Sequence, residues 1–247
     1  MPHRLIHAAL IHVAVVALLI TIPAAALEAA TAGTPVGAVP STGRLDPNVL
    51  ELALSTARCA QQSLPVANPR LLTLIDYSRP STMRRLWVID IKTGRILFEE
   101  LVAHGRASGD NLTNHFSNEP GSLASSLGLF LTGETYVGSN GYSLRLQGLE
   151  EGVNHRALER AIVMHGAPYV RPGMEPHGRL GRSWGCPAVR AAVARELIDT
   201  IKGGTLLLAY YPDAQWLQSS RFVGGCGASV TPGLKSRLHD TSSRAGD

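Results

Sequence analysis

The chain has 247 residues, 45% of them hydrophobic and 17% charged, with a formal net charge of +4. This composition supports a core of ordinary size and excludes a largely disordered chain, and the small, unclustered basic excess excludes a nucleic-acid binder built on a basic stripe. With 25 Gly and 15 Pro the chain is rich in turns, as β-rich folds are.

Residues 1–26 carry a short basic start, an apolar stretch and small residues at Ala24 and Ala26, the pattern of a secretory signal peptide. A retained membrane anchor is the rival reading, although three histidines and Pro23 interrupt or border the apolar run. Export is expected on both readings, to the periplasm or cell envelope, with no membrane contact once the segment is cleaved. Loss of Arg4 lowers the charge slightly, and the mild excess that remains suits an anionic envelope partner. Residues 27–45 read as a flexible Pro/Gly/Ser/Thr linker, 46–228 as the folded domain and 229–247 as a loose tail.

In "DPNVLELALSTARCAQQSL", Asp46 is an N-cap and Pro47 a first helical residue, with Leu50, Leu54 and Ala57 at helical spacing and Cys59 near the end. From Leu71 the rhythm changes to short apolar segments. "LLTLIDYS" and "LWVIDIKTGRILFEELVAHG" read as strands, with Lys92, Thr93 and Gly94 at a hairpin tip. A second turn falls at Ser139, Asn140 and Gly141, followed by alternation at Tyr142, Leu144 and Leu146. "AIVMHG" predicts a buried strand ending on His165. Val189, Val193, Leu197 and Ile201 then recur every fourth residue, with Gly203 suited to the helix C-terminus. That helix, with Pro187 in its first turn, puts Cys186 at or just before an N-terminus that favours an anion. "TLLLAYY" reads as a closing strand.

An exported chain meets an oxidising compartment, and Cys59, Cys186 and Cys226 cannot all pair with one another. Pairing of Cys59 with Cys226 leaves Cys186 free and closes a long loop, but sequence alone does not fix the connectivity. "GRSWGCPAVR" sets Cys186 among glycine and arginine, as befits a thiol that must be reached and ionised. His165 at a strand end is the candidate base, and the Gly185 and Cys186 N–H groups are candidate oxyanion donors. Ser183 supports the turn. His104, His115, His155 and His177 fit no closed zinc pattern, so no metal is expected.

The order His165-Gly166, sixteen residues, then Ser183-x-Gly185-Cys186 resembles the signature of bacterial L,D-transpeptidases, and "FSNEPGSLASSLGLF" resembles their Ser/Thr-x-Gly-x-Phe segment. The stretch from Leu71 to Tyr211 is similar to their murein L,D-transpeptidase catalytic branch. The resemblance implies a mainly β fold with flanking helices, a sandwich or barrel with a helix after the cysteine. It also implies a Cys186 thioester formed on peptidoglycan stem peptides with His165 as base, a backbone carbonyl orienting that histidine, and no metal or organic cofactor. Crosslinking of 3-3 type follows if an amine accepts the acyl group, carboxypeptidation if water does. Gly166, Trp184, Arg182, His177 and Arg190 are the expected substrate contacts. Trp184 stands where many members carry histidine, and Arg190 lies four residues after the cysteine where a polar residue at two is commoner. A cysteine endopeptidase of papain type places Cys before His, the reverse of this chain, and a noncatalytic peptidoglycan-binding module needs no free thiol.

Overall fold

The computed structural model describes residues 45–174, 178–223 and 226. The chain divides into two units, Met1–Ala38 and Val39–Asp247. The first unit lies outside the described residues, as do the predicted signal segment, the linker before Leu45 and the tail beyond 228.

Helix α1 (Pro47–Ser63) starts as its sequence dictates: Asp46 Oδ1 accepts from the Asn48 N–H at 2.7 Å, and Pro47 occupies the first turn. It buries Val49, Leu52, Ala53 and Ala57. Strands β1 (Leu71–Asp76), β2 (Leu86–Asp90), β3 (Arg95–Glu100) and β4 (Val102–Ala103) follow, then a single 3-10 turn at Arg106–Ser108. Next come β5 (Gly128–Gly138), β6 (Gly141–Gly148), β7 (Val163–Ala167), β8 (Ala188–Arg190), α2 (Ala191–Ile201), β9 (Leu206–Tyr210) and α3 (Ala214–Ser219). Both predicted hairpins form, β2 with β3 and β5 with β6.

The strands make one sheet in the order β3-β2-β1-β9-β5-β6-β7-β8-β4. Strands β3 and β4 stand at opposite edges of that order, yet only Leu101 separates them in the chain. The sheet therefore curls until its edges approach, giving a mostly β, nearly closed barrel-like fold with a few helices. β9, the expected closing strand, is the last of the described strands in the chain and lies between β1 and β5, parallel to the first and antiparallel to the second. Its side chains alternate between two cores: Leu206, Leu208 and Tyr210 pack with α1 and α3, while Leu207 and Ala209 pack with Val189, Leu197 and Ile201. Burial on both faces explains why β1, β2 and β9 read as continuous apolar runs rather than alternating ones.

Two boundaries differ from the sequence reading. β7 runs two residues past His165, and the helix after the cysteine begins at Ala191, so Cys186 is not at its N-terminus. Residues 188–190 are held as a strand because they pair with β7 on one side, and Val102 and Ala103 of β4 pair with it on the other. Val189 keeps the helical spacing because it enters the same core as Leu197 and Ile201. The short helix α3 was not anticipated, although Asp213 caps it through the Trp216 N–H at 2.7 Å.

Cys59 and Cys226 form a disulfide across a sequence separation of 167. Closing so long a loop restricts the unfolded chain, a contribution of roughly 2–5 kcal/mol. Replacing both cysteines with alanine is therefore expected to lower the denaturation midpoint while sparing Cys186. An unchanged urea midpoint in the double variant would show that the bond carries no stability.

Candidate active site

Strand β7 carries His165, and its parallel neighbour β8 begins two residues after Cys186. The register sets His165 level with Ala188, so the cysteine lies toward the N-terminal end of β7. There the Cys186 Sγ lies 3.7 Å from the Ala161 carbonyl oxygen, to which the thiol donates, and the Val163 N–H is directed at the sulfur. By register, the cysteine thus stands two positions before His165 on the same strand pair. In the resting arrangement the thiol proton is directed to Ala161 rather than to the ring.

His165 is 4% exposed. Its Nδ1 lies 3.0 Å from the Gly166 carbonyl oxygen, which can only accept, so Nδ1 carries the proton and Nε2 is left as the basic nitrogen. Burial holds the imidazole below its ordinary pKa, so it is neutral at neutral pH. Burial also pushes the Cys186 thiol up, against a smaller downward pull from the Val163 N–H and the Arg160 charge. A helix terminus was expected to ionise this sulfur in advance. With the helix starting at Ala191 that field is displaced, and burial favours the neutral form of both the thiol and the imidazole. Iodoacetamide labelling of Cys186 is accordingly expected to have its midpoint above about 8.5, the ordinary thiol value. A midpoint near neutrality would instead reveal a preformed ion pair.

The turn presenting the cysteine is closed by Ser183, whose hydroxyl donates to the Cys186 carbonyl at 2.6 Å and accepts from the Gly185 N–H at 3.1 Å. The Gly185 N–H is engaged there, which leaves the Cys186 N–H as the other donor of the expected oxyanion pair. Gly185 has φ +124, and a Cβ on it would meet the Ala124 carbonyl oxygen at 2.8 Å, so only glycine fits. Its own carbonyl accepts from Ser125 Oγ at 3.1 Å, and Ser125 Oγ in turn accepts from the Gly105 N–H at 3.0 Å. Ser183 further exchanges backbone bonds with His104 and Arg106. The segments 104–108, 123–126 and 183–186 are thereby laced together beneath the thiol.

Under this lacing lies a buried polar cluster that sequence reasoning missed. Arg85 donates to the Val102 and Arg79 carbonyls, to Thr113 Oγ1, and at 2.8 Å to His104 Nδ1. Burial lowers Arg85 to about 10, and burial with the Arg85 charge lowers His104 to about 4, so His104 is a neutral acceptor. Its role is to satisfy Arg85. His155 accepts from the Gly152 N–H and meets Asn118.

The remaining predicted contacts separate. Gly166 is where α2 closes on β7, since a Cβ there would meet Ala194 Cβ at 2.8 Å, so its small size serves packing and its carbonyl serves His165. Arg190 makes a two-pronged ion pair with Glu100, at 2.7 and 2.6 Å, with side-chain exposures of 12% and 7%. That pair ties β8 to β3 across the closing seam. Arg182 is held by the Gly109 carbonyl and Asp110, each at 2.9 Å. Trp184 is 74% exposed, one residue before Gly185 in the cysteine turn. His177 lies outside the described residues. Arg160, not singled out from sequence, stands against Gly185, with its Nη2 3.5 Å from where a Cβ there would be.

A family model described as the L,D-transpeptidase catalytic domain matches residues 41–210. No curated protein sequence matches the chain. Among solved structures it is similar to an L,D-transpeptidase from Mycobacterium smegmatis at 13% identity and TM-score 0.36, covering 57% of this chain and 59% of that one. It is also similar to an L,D-transpeptidase from Stackebrandtia nassauensis at 15% identity and TM-score 0.35, covering 67% of each. The chain thus spans less than two thirds of the first of these two structures.

Proposed function

The chain belongs to the L,D-transpeptidase catalytic domain family, and from that premise we propose that it is an exported cysteine L,D-transpeptidase acting on peptidoglycan stem peptides. The observation that carries the reading is the free Cys186 thiol, held by the Ser183 turn at the start of the strand on which a neutral, oriented His165 sits. The Cys59–Cys226 disulfide supports export, since such bonds persist in oxidising compartments.

In this mechanism Cys186 Sγ attacks the carbonyl carbon between diaminopimelate and the terminal D-alanine of a tetrapeptide stem. The thiol proton passes to His165 Nε2 as the C–S bond forms. The oxyanion takes the Cys186 N–H as donor. The imidazolium returns its proton to the departing D-alanine nitrogen as the C–N bond breaks, leaving a thioester. A second stem-peptide amine then attacks the thioester, with Nε2 again accepting the proton, and restores the thiol with a 3-3 crosslink. Water in place of the amine gives a shortened stem. Because the resting thiol is directed to Ala161, binding of substrate must turn it toward the ring, a tightening that catalytic hydrogen bonds often show on complex formation.

Incubation of the protein with a disaccharide tetrapeptide tests this reading. D-alanine should appear, and mass spectrometry of a quenched reaction should find the acyl group on the Cys186 peptide as a hydroxylamine-labile thioester. Turnover with the Cys186 peptide unmodified at every time point, and no retardation by iodoacetamide, would reject it.

A further inference from the structure

Arg160 ends the turn that leads into β7, directly before Ala161, whose carbonyl faces the Cys186 sulfur. Both its terminal nitrogens are engaged. Nη1 donates to the Ser117 carbonyl and to Ser126 Oγ, and Nη2 donates to Ser122 Oγ at 3.1 Å and the Ala124 carbonyl at 2.7 Å. Held so, the guanidinium cannot also make a two-pronged grip on a substrate carboxylate. It does place a fixed positive charge beside Gly185, with Nη2 3.5 Å from where a Cβ on that residue would stand. Gly185 adjoins Cys186, so the charge is close to where negative charge develops when the thiol gives up its proton.

We propose that Arg160 is a positioning residue for the nucleophile: it clamps the 117–126 segment to the cysteine turn and stabilises the Cys186 thiolate through its charge, without touching substrate. The proposal rests on the reading of Cys186 as the nucleophile. The other titratable groups coupled to the sulfur are Tyr77, just after β1, and Tyr169, beyond β7, while His165 lies on the neighbouring strand β7. The two tyrosines are raised mainly by burial and stay neutral, and His165 is neutral for the same reason. Arg160 is therefore the charged member of the set. The coupling is mutual: burial lowers the Arg160 pKa while the Cys186 charge raises it, and Arg160 in turn lowers that of Cys186.

The test is the pH profile of iodoacetamide labelling in the full chain, where Cys59 and Cys226 are bonded to each other and only Cys186 reacts. Arg160→Gln keeps part of the clamp and removes the charge, so the labelling midpoint should rise by about one pH unit, a roughly tenfold slower reaction at neutral pH. Arg160→Lys keeps the charge and loses most of the clamp, so it should melt earlier yet label with a midpoint near that of the parent. If Arg160→Gln labels at the parental midpoint, the proposal is overturned, whatever its melting temperature. Should the glutamine variant fail to fold, the parent protein decides alone. A fixed local cation makes anionic iodoacetate react several-fold faster relative to neutral iodoacetamide than it does with N-acetylcysteine, whereas an equal ratio overturns the proposal. Thioester formation on Cys186 is read separately, so failure of the nucleophile reading and failure of the Arg160 assignment are distinguishable.

Discussion

Replacing Cys186 with alanine is expected to lower kcat/KM for D-alanine release by about four orders of magnitude or more, the size of loss that follows removal of a covalent nucleophile. Melting should change little, because Sγ makes one long contact, 3.7 Å to the Ala161 carbonyl, while the turn around it is held by Ser183, Ser125 and Gly185 through backbone atoms that alanine retains. That separation gives the experiment its force. A fall in activity with an unchanged melting temperature assigns the loss to the sulfur itself. The natural companion is Ser183→Ala, which keeps the thiol but removes the hydroxyl bonded to both Gly185 and Cys186, and so should lose activity by a smaller factor through a disordered turn. Release of D-alanine by Cys186→Ala at the parental rate would rule out a thioester on this residue.

What the sequence disclosed and what it hid divide along the range of the contacts. The helix capped by Asp46 and the two hairpins are local features, written in turn residues and apolar spacing within a few positions. The family resemblance was likewise legible, because Ser183, Gly185 and Cys186 form one short turn. The helix start after Cys186 was misread because β8 has three residues and β4 two, too few for any period to show, and strand pairing on both sides overrode the helical spacing of Val189. The ion pair of Arg190 was hidden because its partner Glu100 is 90 residues earlier in the chain. The contacts of Ser125 and Arg160 were hidden for the same reason: the first meets Gly185 across 60 residues, and the second gathers acceptors 34 to 43 residues before it. Polar groups that fix the site from underneath are recognisable only once the barrel has closed around them.

The electrostatics of the site turn on His165. With the thiol raised by burial and no helix terminus at Cys186, nothing at neutral pH removes the sulfur proton except a base in the site, so His165→Gln should cost about two to four orders of magnitude in kcat/KM. The pH profile should change as well as the rate. In the parent protein, activity should fall on the acid side as His165 takes up a proton. Because burial sets that pKa below the ordinary histidine value, the acid limb should have its midpoint below about 6.5. A glutamine cannot titrate, so the acid limb disappears. What remains should climb about tenfold per pH unit toward alkaline pH, as the thiolate forms unaided, and level off only above the ordinary thiol range. The glutamine amide still reaches a backbone carbonyl such as that of Gly166, so β7 and its pairing with β8 should stand, and circular dichroism should report an unchanged fold. A glutamine variant that keeps the parental acid limb would mean that another group accepts the proton. The raised thiol would then have to be served by a base outside the strand pair, and the chemistry assigned to that pair would fail.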